Sequence, residues 1–175
     1  YIMMKMMHPG PRGFVDEVWG LNNVISAIKC DVGFVMDDFV TMLEEPEPGV
    51  PFWDASNPAL MQHLREDCRI PILTSRAYKP RYPTSCEYPL DAVRKSIFGD
   101  IPGFAFTNST TYAIAYAWHI GVRELHMYGT DFAYPWHDPY DRRRFLEAGR
   151  ANVESMLMTG YMLGKFTFHM SANTS

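Results

Sequence analysis

The chain has 175 residues, of which 47% are hydrophobic and 21% are charged, and its formal net charge is −4. This composition predicts one globular domain over residues 1–175 and excludes a disordered chain. The acidic balance argues against nucleic acid as a partner, because nucleic-acid binders usually present a basic surface. No apolar run is long enough to cross a bilayer, so we expect no membrane-spanning segment.

In the first half of the chain, short apolar segments alternate with segments of helical periodicity. Residues 1–7 are either a strand or a disordered start, and a first strand that is truncated or degenerate is expected. Strands are predicted at Glu17–Asn22, Asp31–Met36 and Ile70–Thr74, and helices at Val24–Ile28, Ala59–Cys68 and Leu90–Phe98. Two proline-rich stretches, Glu44–Pro58 and Ser75–Pro89, are predicted as loops, and one or the other is expected to cover a site.

The second half contains a predicted βαβ unit. A strand at Phe104–Phe106 leads to a helix that starts after Asn108 and ends at Gly121, and Leu125–Tyr128 is the returning strand. The longest helix is predicted at Arg142–Leu163 and a last strand at Lys165–Met170. The alternation predicts the α/β class, with a three-layer, mostly parallel, Rossmann-like sheet.

Polar residues follow almost every predicted strand. They include Asn22, Asp37 with Asp38, Asn108 with Ser109, and Asp131. Because parallel strands end at one edge of a sheet, and open α/β sheets bind ligands there, we expect these residues to share a site.

The turn at Asn108, Ser109 and Thr110 combines small polar side chains with a helix start. Such residues can hydrogen-bond a phosphate or ribose, or they can simply cap the helix, and the two roles are compatible. Asp37 and Asp38 are candidate ligands of a divalent cation such as Mg²⁺; alternatively, one caps the next element and the other is solvated. No tightly bound organic cofactor is expected.

Asp131 is predicted to contact ribose hydroxyls, a metal or an acceptor hydroxyl, or else to fix the turn after Gly129. His137, in an aromatic loop, is a candidate general base or an ordinary surface residue. Arg150 either holds a phosphate or pairs with Glu147 and Glu154 along the helix.

Other features have simpler interpretations. Gly149 inside a helix indicates a close approach by a ligand or a neighbouring element. His119 and His126 are assigned to packing, and His169 has no informative spacing. The three cysteines are far apart and odd in number, which predicts reduced, buried thiols in a cytoplasmic protein.

The stretch from Asn108 to Phe132 resembles two related groups of proteins. They are the MptE-like family of 6-hydroxymethylpterin diphosphokinases and the bacterial sialyltransferases that use a cytidine-monophosphate sugar. Ser109 before a helix and the Gly129-Thr-Asp131-Phe132 loop carry the resemblance, and the closing 168–175 segment is similar too. The chain also resembles small phage and metagenomic proteins of no known activity.

The resemblance implies a nucleotide-binding transferase that moves either a glycosyl group from a nucleotide sugar or a diphosphate from a nucleotide. The nucleotide would be held by Asn22, Asn108, Ser109, Thr110 and Arg150. Asp37, Asp38 and Asp131 would hold metal or acceptor, and His137 or Glu147 would act as base.

The alternative is a non-catalytic nucleotide-binding module, or a vestigial member of the same fold. It is favoured by the absence of the glycine-rich loop that follows the first strand in these families. The sequence leaves open whether the chain forms a homo-oligomer.

Overall fold

The computed structural model describes residues 3–5, 16–37, 39, 58–99, 106–129 and 140–171, and for residues 3–5, 58, 98 and 140–146 it describes the backbone alone. The strands are β1 (Met3–Lys5), β2 (Val18–Leu21), β3 (Val32–Val35), β4 (Ile72–Thr74), β5 (Ser85–Glu87), β6 (Glu124–Tyr128) and β7 (Thr167–Met170). The helices are α1 (Val24–Ala27), α2 (Pro58–Glu66), α3 (Leu90–Phe98), α4 (Ser109–His119) and α5 (Tyr140–Met162).

The strands form one sheet in the order β5-β4-β3-β2-β1-β6-β7. Strands β2 to β5 are a parallel set of four, and β6 and β7 are a parallel pair. Strand β1 joins the two groups and is antiparallel to both of its neighbours. All strands except β1 therefore run in one direction, which confirms the predicted α/β class and the predominance of parallel pairing.

Successive residues of the central strands enter two different cores. Trp19, Leu21 and Phe34 belong to a core completed by α3, α4 and α5. Val35 and Ile72 belong to a second core with residues of α1 and α2. Because side chains alternate between the faces of a strand, the two cores lie on opposite faces of the sheet.

Residues 75–84 of the predicted loop at Ser75–Pro89 are irregular, as expected, but the segment also includes a strand that was not predicted. This segment contains β5, and Tyr82 within it is 2% exposed in the second core. The Ser85 hydroxyl donates to the Tyr82 carbonyl at 2.7 Å and accepts from the Tyr78 amide at 2.9 Å, so the buried polar groups are satisfied. The other predicted lid, residues 44–57, lies outside the described residues.

The helix-to-strand part of the predicted βαβ unit is confirmed by α4 and β6. Gly121 follows the last residue of α4 by two positions and has a φ of 76°. The Gly121 amide donates to the Trp118 carbonyl and the Val122 amide to the Ala117 carbonyl, the paired bonds of a Schellman motif. Phe106 is not part of a strand, and the rest of the predicted Phe104–Phe106 strand lies outside the described residues.

The prediction of free, buried thiols is confirmed for Cys30 and Cys68, whereas Cys86 is free but half-buried. Burial, with smaller contributions from Asp31 and Cys68, raises the pKa of Cys30 to about 11. Cys30 is therefore a packing residue rather than a nucleophile.

Candidate functional site

The candidate site lies at the edge of the sheet where the parallel strands end. Asn22 follows β2 directly, and Asp37 follows β3 after one intervening residue. Asn22 adopts a φ of 52°, in the left-handed region, and its amide donates to the Phe34 carbonyl of β3 at 3.0 Å. The end of β2 is therefore fixed in a turn beside the end of β3.

A capping box fixes the start of α4. The Asn108 Oδ1 accepts from the Thr111 amide at 2.9 Å, and the Thr111 Oγ1 accepts from the Asn108 amide at 3.3 Å. The amides of Ser109 and Thr110, the first two helical residues, have no acceptor within the part of the chain that the structure describes. Thr110 is buried and Ser109 is half-buried, so Ser109 is the more accessible of the two.

One side-chain contact joins the helix start to the sheet edge. The Ser109 hydroxyl donates to the Asn22 Oδ1 at 3.3 Å. This leaves the Asn22 Nδ2 amide as a donor with no acceptor among the described residues. The contact confirms that these two predicted nucleotide-binding residues lie together, although 87 positions separate them in sequence.

The start of α4 is also anchored to α5. The Asn108 Nδ2 donates to the Gly149 carbonyl at 3.3 Å, and the Asn152 Nδ2 donates to the Thr107 Oγ1 at 3.0 Å. A Cβ at Gly149 would lie 2.9 Å from the Asn108 Nδ2. The close approach predicted at Gly149 is therefore made by a neighbouring element, and the Asn108 side chain is occupied by structural bonds at both of its polar atoms.

Asp37 is half-buried at the end of β3. Burial raises the pKa of its carboxyl above that of an ordinary aspartate. No hydrogen bond or ion pair to Asp37 occurs among the described residues. A desolvated carboxylate without such a partner, at the ligand edge of an open sheet, is a candidate for contact with a ligand or a cation.

The two candidates on α5 are exposed. Arg150 pairs with Glu154 through Nε at 2.7 Å, the i,i+4 arrangement that the sequence offered as the alternative to phosphate binding. Glu147 is exposed one turn earlier. The roles of Arg150 and Glu147 toward a ligand remain predictions, and Asp38, Asp131 and His137 lie outside the described residues.

A second cluster, which we call the Glu-His-His cluster, consists of Glu124, His126 and His169. The Nε2 atoms of both histidines lie 3.0 Å from the Oε1 atom of Glu124. The imidazole rings are stacked, with centroids 4.5 Å apart. The bond from His126 and the proximity of both imidazoles lower the pKa of Glu124.

Sequence reasoning missed this cluster, because it assigned His126 to packing and no role to His169. In the structure, His126 pairs with His169 across β6 and β7, so both side chains lie on one face. Glu124 precedes His126 by two positions and shares that face. The Glu-x-His spacing within a predicted strand was the available pattern, but the pairing of β6 with β7 was not visible in the sequence.

No helix in the part of the chain that the structure describes is both long and apolar enough to cross a membrane. Comparisons with models of known protein families, with curated protein sequences and with solved structures gave no match.

Proposed function

We propose that this chain binds a nucleotide or nucleotide sugar at the edge formed by Asn22, Asp37 and the start of α4. The contact between Ser109 and Asn22 carries the proposal, because it places a helix start at the ligand edge of a parallel sheet. Within this proposal the fold is Rossmann-like, with the sheet as the middle of three layers.

Phosphate is the ligand group that suits the contact between Asn22 and the start of α4. The Ser109 amide and the Asn22 Nδ2 amide are both donors, and the amino-terminal end of α4 carries the positive end of the helix dipole. The Asn108 side chain would act indirectly, by holding the helix start through the capping box. Thr110 belongs to the same first turn of α4, and its backbone amide would be a further donor.

Asp37 suits a different part of the ligand. A carboxylate repels a bare phosphate, but it accepts hydrogen bonds from ribose hydroxyls and binds Mg²⁺ that bridges phosphate oxygens. Asp38 would share the Mg²⁺. The raised pKa of Asp37 supports such a contact, because a cation or hydroxyl donors would stabilise a carboxylate that burial destabilises.

The resemblance to MptE-like diphosphokinases and to sialyltransferases makes transfer from the bound nucleotide the proposed reaction. Asp131 would hold the acceptor, His137 or Glu147 would act as base, and Arg150 would stabilise phosphate charge after releasing Glu154. The pairing of Arg150 with Glu154 favours the second candidate function, a binding module without turnover. A cytoplasmic location and homo-oligomerisation remain predictions under either function.

The proposal is tested by thermal unfolding with cytidine, uridine and adenosine phosphates and with CMP- and UDP-sugars, each with and without Mg²⁺. A bound nucleotide at 100 times its Kd raises the free energy of unfolding by about 2.7 kcal/mol. Ser109→Ala keeps the backbone amide but removes the hydroxyl bond that positions the Asn22 Nδ2 donor, so we expect the Kd to rise about tenfold. The matched control is Ser96→Ala, an exposed serine of α3, and it should leave the Kd unchanged.

Two results would contradict the proposed site: no stabilisation by any compound at millimolar concentration, or equal Kd values for the two serine variants. If binding is confirmed, release of free nucleotide from a nucleotide sugar, or formation of a diphosphorylated acceptor, distinguishes a transferase from a binding module.

A further inference from the structure

The Glu-His-His cluster lies on the face of the sheet away from α4 and α5. Leu125 and Met127, which alternate with Glu124 and His126 along β6, are fully buried in the core shared with those helices. The exposed fractions of the cluster side chains are 32% for Glu124, 13% for His126 and 58% for His169. The cluster is thus partly shielded and open to solvent on the side of His169.

The three side chains converge on one small volume. Both imidazoles direct Nε2 at the same carboxylate oxygen of Glu124, although the carboxylate has two. One ligand atom from each residue lies within 4.8 Å of the other two. Neighbouring ligands of a tetrahedral ion with bonds of about 2.0–2.1 Å are about 3.3 Å apart. The two N–O separations of 3.0 Å are close to that spacing, and the exposed His169 is free to adjust.

We propose that Glu124, His126 and His169 bind a Zn²⁺ ion through Oε1 and the two Nε2 atoms, leaving a fourth position open to water. Two imidazoles and one carboxylate are a donor set that favours Zn²⁺ over Mg²⁺, which prefers oxygen ligands. Three protein ligands with an open position are typical of zinc sites that act on a bound water or substrate. All three ligands come from paired strands, which fix the backbone positions from which the side chains converge.

The proposal is independent of the nucleotide site, which lies at the ends of β2 and β3.

A surface network of hydrogen bonds among Glu124, His126 and His169 is the competing interpretation of the cluster. It requires a proton on both Nε2 atoms, because each must donate to Glu124. Zn²⁺ replaces these protons as the positive group at the centre of the cluster.

Titration calorimetry of the full chain, freed of metal with a chelator, tests the proposal with Zn²⁺ and with Mg²⁺. We expect one Zn²⁺ per chain and much weaker binding of Mg²⁺. His126→Gln and His169→Gln should each raise the Kd for Zn²⁺ at least about tenfold, because each removes a ligand. The control His63→Gln makes the same change on α2, outside the cluster, and should have no effect.

His169 is exposed, so its substitution should leave the melting temperature of the metal-free protein unchanged. Co²⁺, a spectroscopic probe for zinc sites, should show the absorption of a tetrahedral complex in the wild-type protein and lose it in His169→Gln. The proposal is overturned if Zn²⁺ does not bind, or if the two cluster variants bind it as tightly as His63→Gln. Nucleotide binding is tested separately. If the two cluster variants still bind a nucleotide, failure of the zinc proposal does not affect the proposed nucleotide site.

Discussion

At the scale of single residues, the proposed nucleotide edge combines donors and one acceptor. The Asn22 Nδ2 and the Ser109 amide are donors without acceptors among the described residues, whereas Asp37 offers a carboxylate whose pKa is raised by burial. A raised pKa means that the ionised carboxylate is less favourable in the folded chain than in the unfolded one. Burial of the ionised Asp37 carboxylate therefore lowers stability at neutral pH.

Asp37→Asn should raise the free energy of unfolding at pH 7 and weaken nucleotide or Mg²⁺ binding. Wild-type stability falls as the pH rises through the pKa of an ordinary aspartate toward the raised pKa of Asp37. The advantage of the asparagine variant should therefore shrink as the pH falls below that range. Urea denaturation at a series of pH values measures the difference in the free energy of unfolding between Asp37→Asn and the wild type.

Asp67→Asn, at an exposed position, is the control and should change stability little at pH 7. A less stable Asp37→Asn at pH 7 would instead mean that the carboxylate makes a stabilising contact in the folded chain.

At the scale of elements, the start of α4 is fixed from two sides. Asn108 caps its own helix through Oδ1 and binds the Gly149 carbonyl of α5 through Nδ2. The absence of a side chain at position 149 makes that second bond possible, because a Cβ there would lie 2.9 Å from Nδ2. The glycine weakens α5 locally but permits the bond that fixes the start of α4.

The two positions should be coupled. Gly149→Ala should lower the free energy of unfolding in the wild-type background, since Asn108 is held by its cap and cannot move aside. In an Asn108→Ala background the obstacle is absent, and the same change should raise the free energy by up to about 1 kcal/mol, the helix preference of alanine. Asn108→Ala alone should lower the free energy of unfolding by about 1–2 kcal/mol, because it removes the helix cap.

A double-mutant cycle by chemical denaturation measures this coupling. An equal effect of Gly149→Ala in both backgrounds would mean that the contact does not constrain the helix.

Elements with local determinants were predicted well from the sequence. Leu90–Phe98 matches α3 at both ends, and the polar turn at Asn108 and the glycine at 121 define α4. Strand β5 was missed because three residues among tyrosines and prolines show no alternation. Its identity depends on pairing with β4, a tertiary interaction.

At the scale of the whole molecule, the sequence predicted that polar strand ends would share one edge, and Asn22 and Ser109 do meet there. It did not predict that β1 separates β2 from β6, because strand order depends on contacts between distant segments. The Glu-His-His cluster was missed for the same reason. Its members come together only through the pairing of β6 with β7.

The most direct test of the nucleotide edge is an amide chemical-shift titration of the ¹⁵N-labelled chain with ADP and with CMP. We predict that the largest changes occur at Asn22, Asp37 and Ser109, while Gly121 at the opposite end of α4 stays unchanged. Largest changes at Gly121 or in the Glu-His-His cluster, or no change anywhere at millimolar nucleotide, would contradict binding at this edge.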